Sequence, residues 1–429
     1  MLTNHNSLPL FLDIYYIKEF FKSFLQQHIT AIHAKRVFLH SKITSSMAIN
    51  TNYMAINTKH LLCIICSALL MCSCSNPKQQ SATAASSGSF AEAHLIDISS
   101  YDNYSIVTIS DPWNTGKTLH TYVLVPKDKP MPEPMPKGTV IRTPVTNALV
   151  YSSVHAQAIK DLGRVSAVRG ICDAEYYKIP EITRGLKNGI VLNVGSSMAP
   201  SLEKIIALKP EVIVLSPFHN SGYGALTNIG IPILECADYM EESPLGRAEW
   251  IKLFGILFGE EAKADSIFNS SKKEYLAIKD SVKNATSRPK VITEMLTSGV
   301  WFVPGGKSYM AKILADAGAV YPWSNNNDAG SLQLDIAQVL DKASDADVWL
   351  IRSSTVSSYA DLQNANPLNA KFRAVANANV WVCDPQATTL FEEFPFHPER
   401  LLKEYAVIFH PELFHDSNNH KYFTRLKKQ

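Results

Sequence analysis

Seven cysteines, 13 histidines and a Pro304-Gly305-Gly306-Lys307-Ser308 turn hold the side chains with which this 429-residue chain could do covalent, metal or phosphate chemistry. Their spacing decides against most of it. A phosphate-binding loop that ends in Gly-Lys-Ser requires a glycine where Trp301 stands. Gly222 and Gly224 match two glycines of a dinucleotide fingerprint, but Thr227 occupies the place of the third. His397, His410 and His415 gather near Glu399 and Glu412 without the HExxH spacing of a zinc helix, and Pro411 interrupts them. No serine sits in a GxSxG elbow. The sequence therefore shows no catalytic machinery, and neither a resident metal nor a cofactor is expected. Its turns are instead aromatic. Trp301, Tyr309, Tyr321 and Trp323, with Ser308 and Arg352, flank glycine and proline turns in the carboxyl-terminal half; Asn147, Phe218 and Tyr223 do so in the amino-terminal half, and Trp113 lies in an earlier turn. Such an inventory suits a large, flat, partly apolar ligand better than a sugar or an amino acid.

The cysteines divide into two groups. Cys63, Cys66, Cys72 and Cys74 crowd a short segment, whereas Cys172, Cys236 and Cys383 are dispersed beside strand-like runs and read as buried structural thiols. Residues 61–71 (LLCIICSALLM) form an uncharged run after Lys59, too short for a bilayer span of about 20 residues and right for the core of a signal peptide. The Ser73-Cys74 end resembles the lipobox of bacterial lipoproteins, which implies that Cys74 is lipidated and becomes the first mature residue. MAINT occurs at Met47 and again at Met54, so residues 1–53 are expected to be absent from the mature protein, with the signal peptide over 54–73. The Ser- and Ala-rich stretch after Cys74 reads as a tether over 74–96. Composition fits a folded protein, with 46% hydrophobic and 19% charged residues. The net charge of +2 turns slightly acidic once the leader is removed, so a nucleic-acid surface is not expected.

Elements that position the turns follow from periodicity. YSIVTIS and TLHTYVLVP flank DPWNTGK as a β-hairpin, and a proline-rich KDKPMPEPMPKG completes an extension over 97–138. From residue 139 short apolar runs (TVIRT, VSAV, EVIVLS, IPILE) alternate with helical stretches, the pattern of a parallel sheet covered on both faces; this is an amino-terminal αβ lobe over 139–242. A second set (KVITEML, DVWLI, NVWVC) repeats that grammar over 289–429. Between them residues 243–288 keep a helical period through Phe254, Phe268 and Tyr275, starting at Ser243-Pro244 and stopping at Arg288-Pro289, with an irregularity at Gly259. Some 40 helical residues would reach ~60 Å, a strut joining two lobes. The fold class is α/β, two lobes on one long backbone helix, with a hairpin extension.

SLEKIIALKPEVIVLSPF, ESPLGRAEWIKLFGILFGEEAKA, WFVPGGKSYMAKILADAGAVYPW and HPERLLKEYAVIFHPELF together resemble the periplasmic-binding proteins of ABC importers for cobalamin, ferric siderophores and haem, in the lipoprotein branch seen in Bacteroidetes-type bacteria. The resemblance covers essentially residues 139–414. It implies a monomeric substrate-binding protein, lipid-anchored in the periplasm on the inner membrane, which takes its ligand between the lobes and hands it to a permease and its ATPase. Any iron or cobalt would then arrive as part of the ligand. It also implies that the aromatic and polar turn residues named above line the cleft, and that an acidic residue on each lobe docks on the permease. Glu203 stands at the first-lobe position; in the second lobe Ala337 stands there, and Asp335 is the nearest acid. Two alternatives are a chelatase-like enzyme on a similar scaffold, which would need a His or Cys pair in the cleft, and a capture or storage lipoprotein that works without a permease.

Overall fold

Strands whose side chains are buried on both faces still need hydrogen-bond partners on both edges, and that requirement sorts the chain into its sheets. The structure is a computed structural model that describes residues 90–220, 222–414 and 420–427 in full and the backbone of 86–88. Cys74, the signal segment, most of the tether and His415 lie outside the described residues. Strands β1 (Ser86–Gly88), β2 (Ile96–Ser100), β3 (Ser105–Ser110), β4 (Thr118–Pro126) and β5 (Thr139–Thr143) form one five-stranded sheet in that order. The β3–β4 hairpin is the expected one. β5, the TVIRT run, differs from expectation: it pairs in parallel with β4 and not with the first lobe's sheet. Tyr122–Val125 of β4 are wholly buried, so this strand needs a partner on each edge, and β3 supplies only one.

The first lobe's sheet consists of β6 (Ala148–Val150), β7 (Val168–Ile171), β8 (Leu192–Asn193), β11 (Val212–Leu215) and β12 (Ile233–Glu235), all parallel, in the order β12-β11-β6-β7-β8. A small hairpin, β9 (Gly195–Ser196) and β10 (Ala199–Pro200), follows β8. Helices α1 (Ser153–Asp161), α2 (Pro180–Lys187) and α3 (Leu202–Leu208) cover the sheet. On one face Ala148, Val150 and Val214 share a single core with Ile98, Val107 and Tyr122 of the extension. The extension is therefore packed onto this lobe as part of its core.

The connection is helical but segmented into α4 (Pro244–Glu249), α5 (Ile251–Phe258) and the 22-residue α6 (Glu261–Val282), the last about 33 Å long. Ser243 caps the start through Gly246 N–H at 2.9 Å, and Gly259, at φ 71°, ends α5 in the left-handed region that a side chain would strain. Two buried glutamates, Glu241 just before this stretch and Glu249 within it, fasten the incoming chain. Glu249 accepts the backbone N–H groups of Ala91, Glu92 and Ala93, and Glu241 those of His94 and Leu95 together with the Trp250 indole.

In the second lobe β13 (Val291–Thr293) begins the main sheet. β14 (Leu296–Thr297), β15 (Val300–Pro304) and β16 (Ser331–Leu334) make a separate antiparallel sheet, and β17 (Val348–Arg352), β18 (Val380–Cys383) and β19 (Thr424–Arg425) complete the order β13-β17-β18-β19. Its helices are α7 (Tyr309–Asp316), α8 (Ile336–Ala343), α9 (Tyr359–Ala365), α10 (Arg373–Ala376), α11 (Leu390–Glu393) and α12 (Pro398–Phe409). No described helix is long and apolar enough to cross a membrane. Cys172, Cys236 and Cys383 are free and buried.

Candidate ligand cleft

Open parallel sheets present ligand-binding loops at the carboxyl ends of their strands. In the first lobe the segment after β11 carries Phe218 and His219, and that after β12 carries Tyr239. Asp111 shapes the hairpin turn by accepting the N–H groups of Trp113 and Asn114 at 2.9 and 3.0 Å. This turn lays the Trp113 ring 5.7 Å from that of His219. Phe218 is 44% exposed, with its ring 6.5 Å from that of Tyr239, whose hydroxyl donates to the Pro217 carbonyl at 2.6 Å. Tyr223 donates to Glu235 at 2.6 Å; the other Glu235 oxygen lies 2.9 Å from His120 of β4. The extension thus braces the same loop that the sequence singled out.

In the second lobe Glu294, at φ 65°, directly follows β13, and β17 ends at Arg352. Arg352 Nε donates to Glu294 at 2.8 Å, a terminal nitrogen donates to the same oxygen, and the guanidinium lies 5.3 Å from the centre of the Phe391 ring. Burial draws the guanidinium pKa down, but Glu294 more than offsets this and holds it above its ordinary value. Tyr309 stacks on Phe394 with centroids 5.9 Å apart, and Arg247 of α4 lies over both rings at 4.8 and 5.6 Å. Arg247 in turn donates to Asp238 at 3.0 Å, which pairs with His155 at 2.9 Å. This buried chain runs from α1 of the first lobe through the strut to the Tyr309 and Phe394 rings of the second. Burial raises the Asp238 pKa, yet Arg247 and His155 together bring it below the ordinary carboxylate range.

Other predicted positions fall elsewhere. Trp301 is fully buried in the second-lobe core, stacked 5.5 Å from Trp349, with its indole N–H donated to the Thr293 carbonyl at 3.0 Å. Tyr321 and Trp323 are core residues too, and the Tyr321 hydroxyl donates to Pro304 at 2.6 Å. The reason is the glycine turn. A Cβ on Gly305 or Gly306 would collide with backbone carbonyls of Asn326, Asp328 and Gly330, so this turn lies under that segment and faces inward. Ser308 is the α7 N-cap, accepting Ala311 N–H at 3.1 Å. Asn147 precedes β6, at the amino end of the sheet, and donates to the Leu208 and Lys209 carbonyls at 3.0 Å. It lies there because β5 pairs with β4 of the extension, which leaves β6, directly after Asn147, as the lobe's first strand. Glu203 is exposed in the first turn of α3, one turn before the 54% exposed Ile206. Asp335 is also exposed, but its carboxylate caps α8 through Gln338 N–H at 2.8 Å. Of the histidines, His397 pairs with Asp161 at 3.1 Å, and His410 is wholly buried on the Ala317 carbonyl. Among the described residues no cluster of three His, Cys, Asp or Glu side chains could hold a metal ion.

Sequence reasoning missed Arg247, Tyr239, Phe391 and Phe394. Phe391 and Phe394 are spaced i, i+3 in LFEEF, a signal of a shared helical face that was there to be read.

Residues 167–387 match the family described as periplasmic binding protein. An uncharacterized lipoprotein of Methanocaldococcus jannaschii is 29% identical over 337 residues, covering 73% of this chain and 80% of that one. Among solved structures, a molybdate periplasmic binding protein of Haemophilus influenzae has a TM-score of 0.54 at 15% identity, over 66% of this chain and 91% of that one. A periplasmic heme-binding protein of Pseudomonas aeruginosa has a TM-score of 0.52 at 16% identity, over 66% and 99%. These structural likenesses concern the fold.

Proposed function

This chain belongs to the periplasmic binding protein family, and from that membership we propose that it is the lipid-anchored substrate-binding protein of an ABC importer, carrying a metal chelate or corrinoid to an inner-membrane permease. The ligand class is a ferric siderophore, cobalamin or haem. The observation that supports this reading is the set of partly exposed aromatic side chains on turns of both lobes: Trp113, Phe218 and Tyr239 on one, Tyr309 and Phe391 on the other, these two packed against the buried Phe394. Flat, partly apolar ligands bind between such faces, with Arg352 as the polar contact on the second wall and Tyr223 on the first. A small oxyanion such as molybdate would instead call for converging donors without this aromatic area. Trp301, Tyr321, Trp323 and Ser308 are buried within the second lobe, and Asn147 sits at the opposite, amino end of the first lobe's sheet.

In the same reading Cys74 carries the lipid, and Glu203 with its neighbour Ile206 meets the permease; Asp335, already committed to a helix cap, has a lesser part. The test is a titration of the detergent-solubilised full chain with hemin, cyanocobalamin and a ferric tris-catecholate, following tryptophan fluorescence. Saturable quenching by one of them is expected. No response to any of the three defeats the ligand class.

A further inference from the structure

Lys178 joins the two lobes at a place no binding motif marks. It lies seven residues after β7, between two fixed points: Tyr177 is buried with its hydroxyl donated to the Val150 carbonyl at 2.7 Å, and Ile179 is buried at the start of α2. Its ammonium group crosses to the second lobe and donates to the carbonyls of Pro385 and Thr388, the latter at 2.8 Å. Those carbonyls belong to the turn that follows β18. That turn is rigid in its own right. Asp384 gathers its donors, accepting the N–H groups of Gln386, Ala387 and Thr388, so the 385 and 388 carbonyls are left for a partner outside the turn. The β7 and β18 segments both lie at strand carboxyl ends, so the contact spans one flank of the ligand cleft.

We propose that Lys178 is a clasp across the cleft, setting how often the lobes part on the β7–β18 flank and thereby how fast ligand leaves. A charged donor on two backbone carbonyls makes a strong contact of fixed geometry. Because it joins loops rather than packed helices, its release opens the flank and leaves both cores intact. Only the part concerning ligand rests on the solute-binding reading.

A native thiol reports the clasp without any ligand. Cys383, the last residue of β18, is buried, and its sulfur lies 3.3 Å from the Thr388 hydroxyl of the gripped turn. The full chain in mild detergent is treated with a maleimide at pH 8, and labelling of each cysteine is followed by peptide mass spectrometry. Lys178→Met should label at Cys383 tenfold or more faster than the parent, since it loses both charge-assisted hydrogen bonds and one alone is worth about that factor. Cys236, buried after β12 at the far edge of the first lobe's sheet, should be unchanged. Lys178→Arg keeps the donors and should label slowly. Parental labelling of Cys383 in Lys178→Met overturns the clasp, as does equal acceleration at Cys236, which would mean general loosening. In the second arm a bound probe, hemin first, should leave Lys178→Met at least about tenfold faster, in proportion to the labelling; an unchanged rate refutes the link to release. Failure of hemin, cyanocobalamin and the ferric tris-catecholate to bind at all defeats the functional reading, while Cys383 still decides the clasp.

Discussion

Replacing Arg247 by leucine should cost more than any single change on the cleft walls. Arg247 is 7% exposed and Asp238 and His155 are each 1% exposed, so the substitution leaves a carboxylate buried with a histidine as its remaining ring partner, and the Nδ1 atom of that histidine is itself buried without a hydrogen bond. Removing one member of a buried ion pair costs ~3–5 kcal/mol, because the other charge stays desolvated. The lost contacts with Tyr309 and Phe394 add about 0.5–1 kcal/mol each. Urea unfolding at pH 7, followed by circular dichroism, should show the loss as a lower midpoint. Asp238→Asn combined with Arg247→Leu should recover ~1–2 kcal/mol of it, since the orphaned charge is then gone. The pH dependence fixes the sign. A carboxyl held below its ordinary value stabilises the fold above that value and ceases to do so as pH falls through its folded pKa. The difference between parent and Arg247→Leu should therefore be greatest near neutrality and shrink below about pH 4. A single variant within 1 kcal/mol of the parent, or a double variant no more stable than the single, refutes the coupling of these charges.

Further expectations concern the lobe contact, the core and the docking face. Burial lowers the His397 pKa, but Asp161 and Glu399 more than offset it and push it up to about 9; its stabilisation is complete below the ordinary value near 6.5 and is lost as pH rises through about 9. Thermal melts from pH 6 to 10 should show that decline in the parent and a flatter profile in His397→Gln. Trp301→Ala should lose about 3–5 kcal/mol of stability on urea unfolding, the cost of emptying a core aromatic site, with ligand affinity kept. Reversal of Glu203 to arginine should lower cellular uptake of the ligand severalfold while binding by the purified protein stays the same; equal uptake removes Glu203 from docking.

The layout of two lobes and a strut was legible because buried parallel strands are short apolar runs set between helices, a pattern that each half repeats. Pairing partners were not. TVIRT reads identically whether it joins the lobe's sheet or the extension's, and only the needs of β4 on its second edge decide. Of the candidate site, placement on an exposed loop was legible at Phe218. It was obscure at Trp301 and Trp323, because whether a glycine turn faces in or out depends on residues 323–330 folding over it. Arg247 escaped notice for the opposite reason: a charged residue in an amphipathic helix reads as surface, and nothing local foretells its partners in another lobe.

The central claim, that ligand is gripped between the aromatic walls of both lobes, is tested most directly by the affinity of Phe218→Ala, Tyr309→Ala and their combination for whichever of hemin, cyanocobalamin or the ferric tris-catecholate the parent binds. Each single variant should bind about tenfold more weakly, the loss of one aromatic face, and the pair more weakly than either. Parental affinity in the double variant would contradict the account.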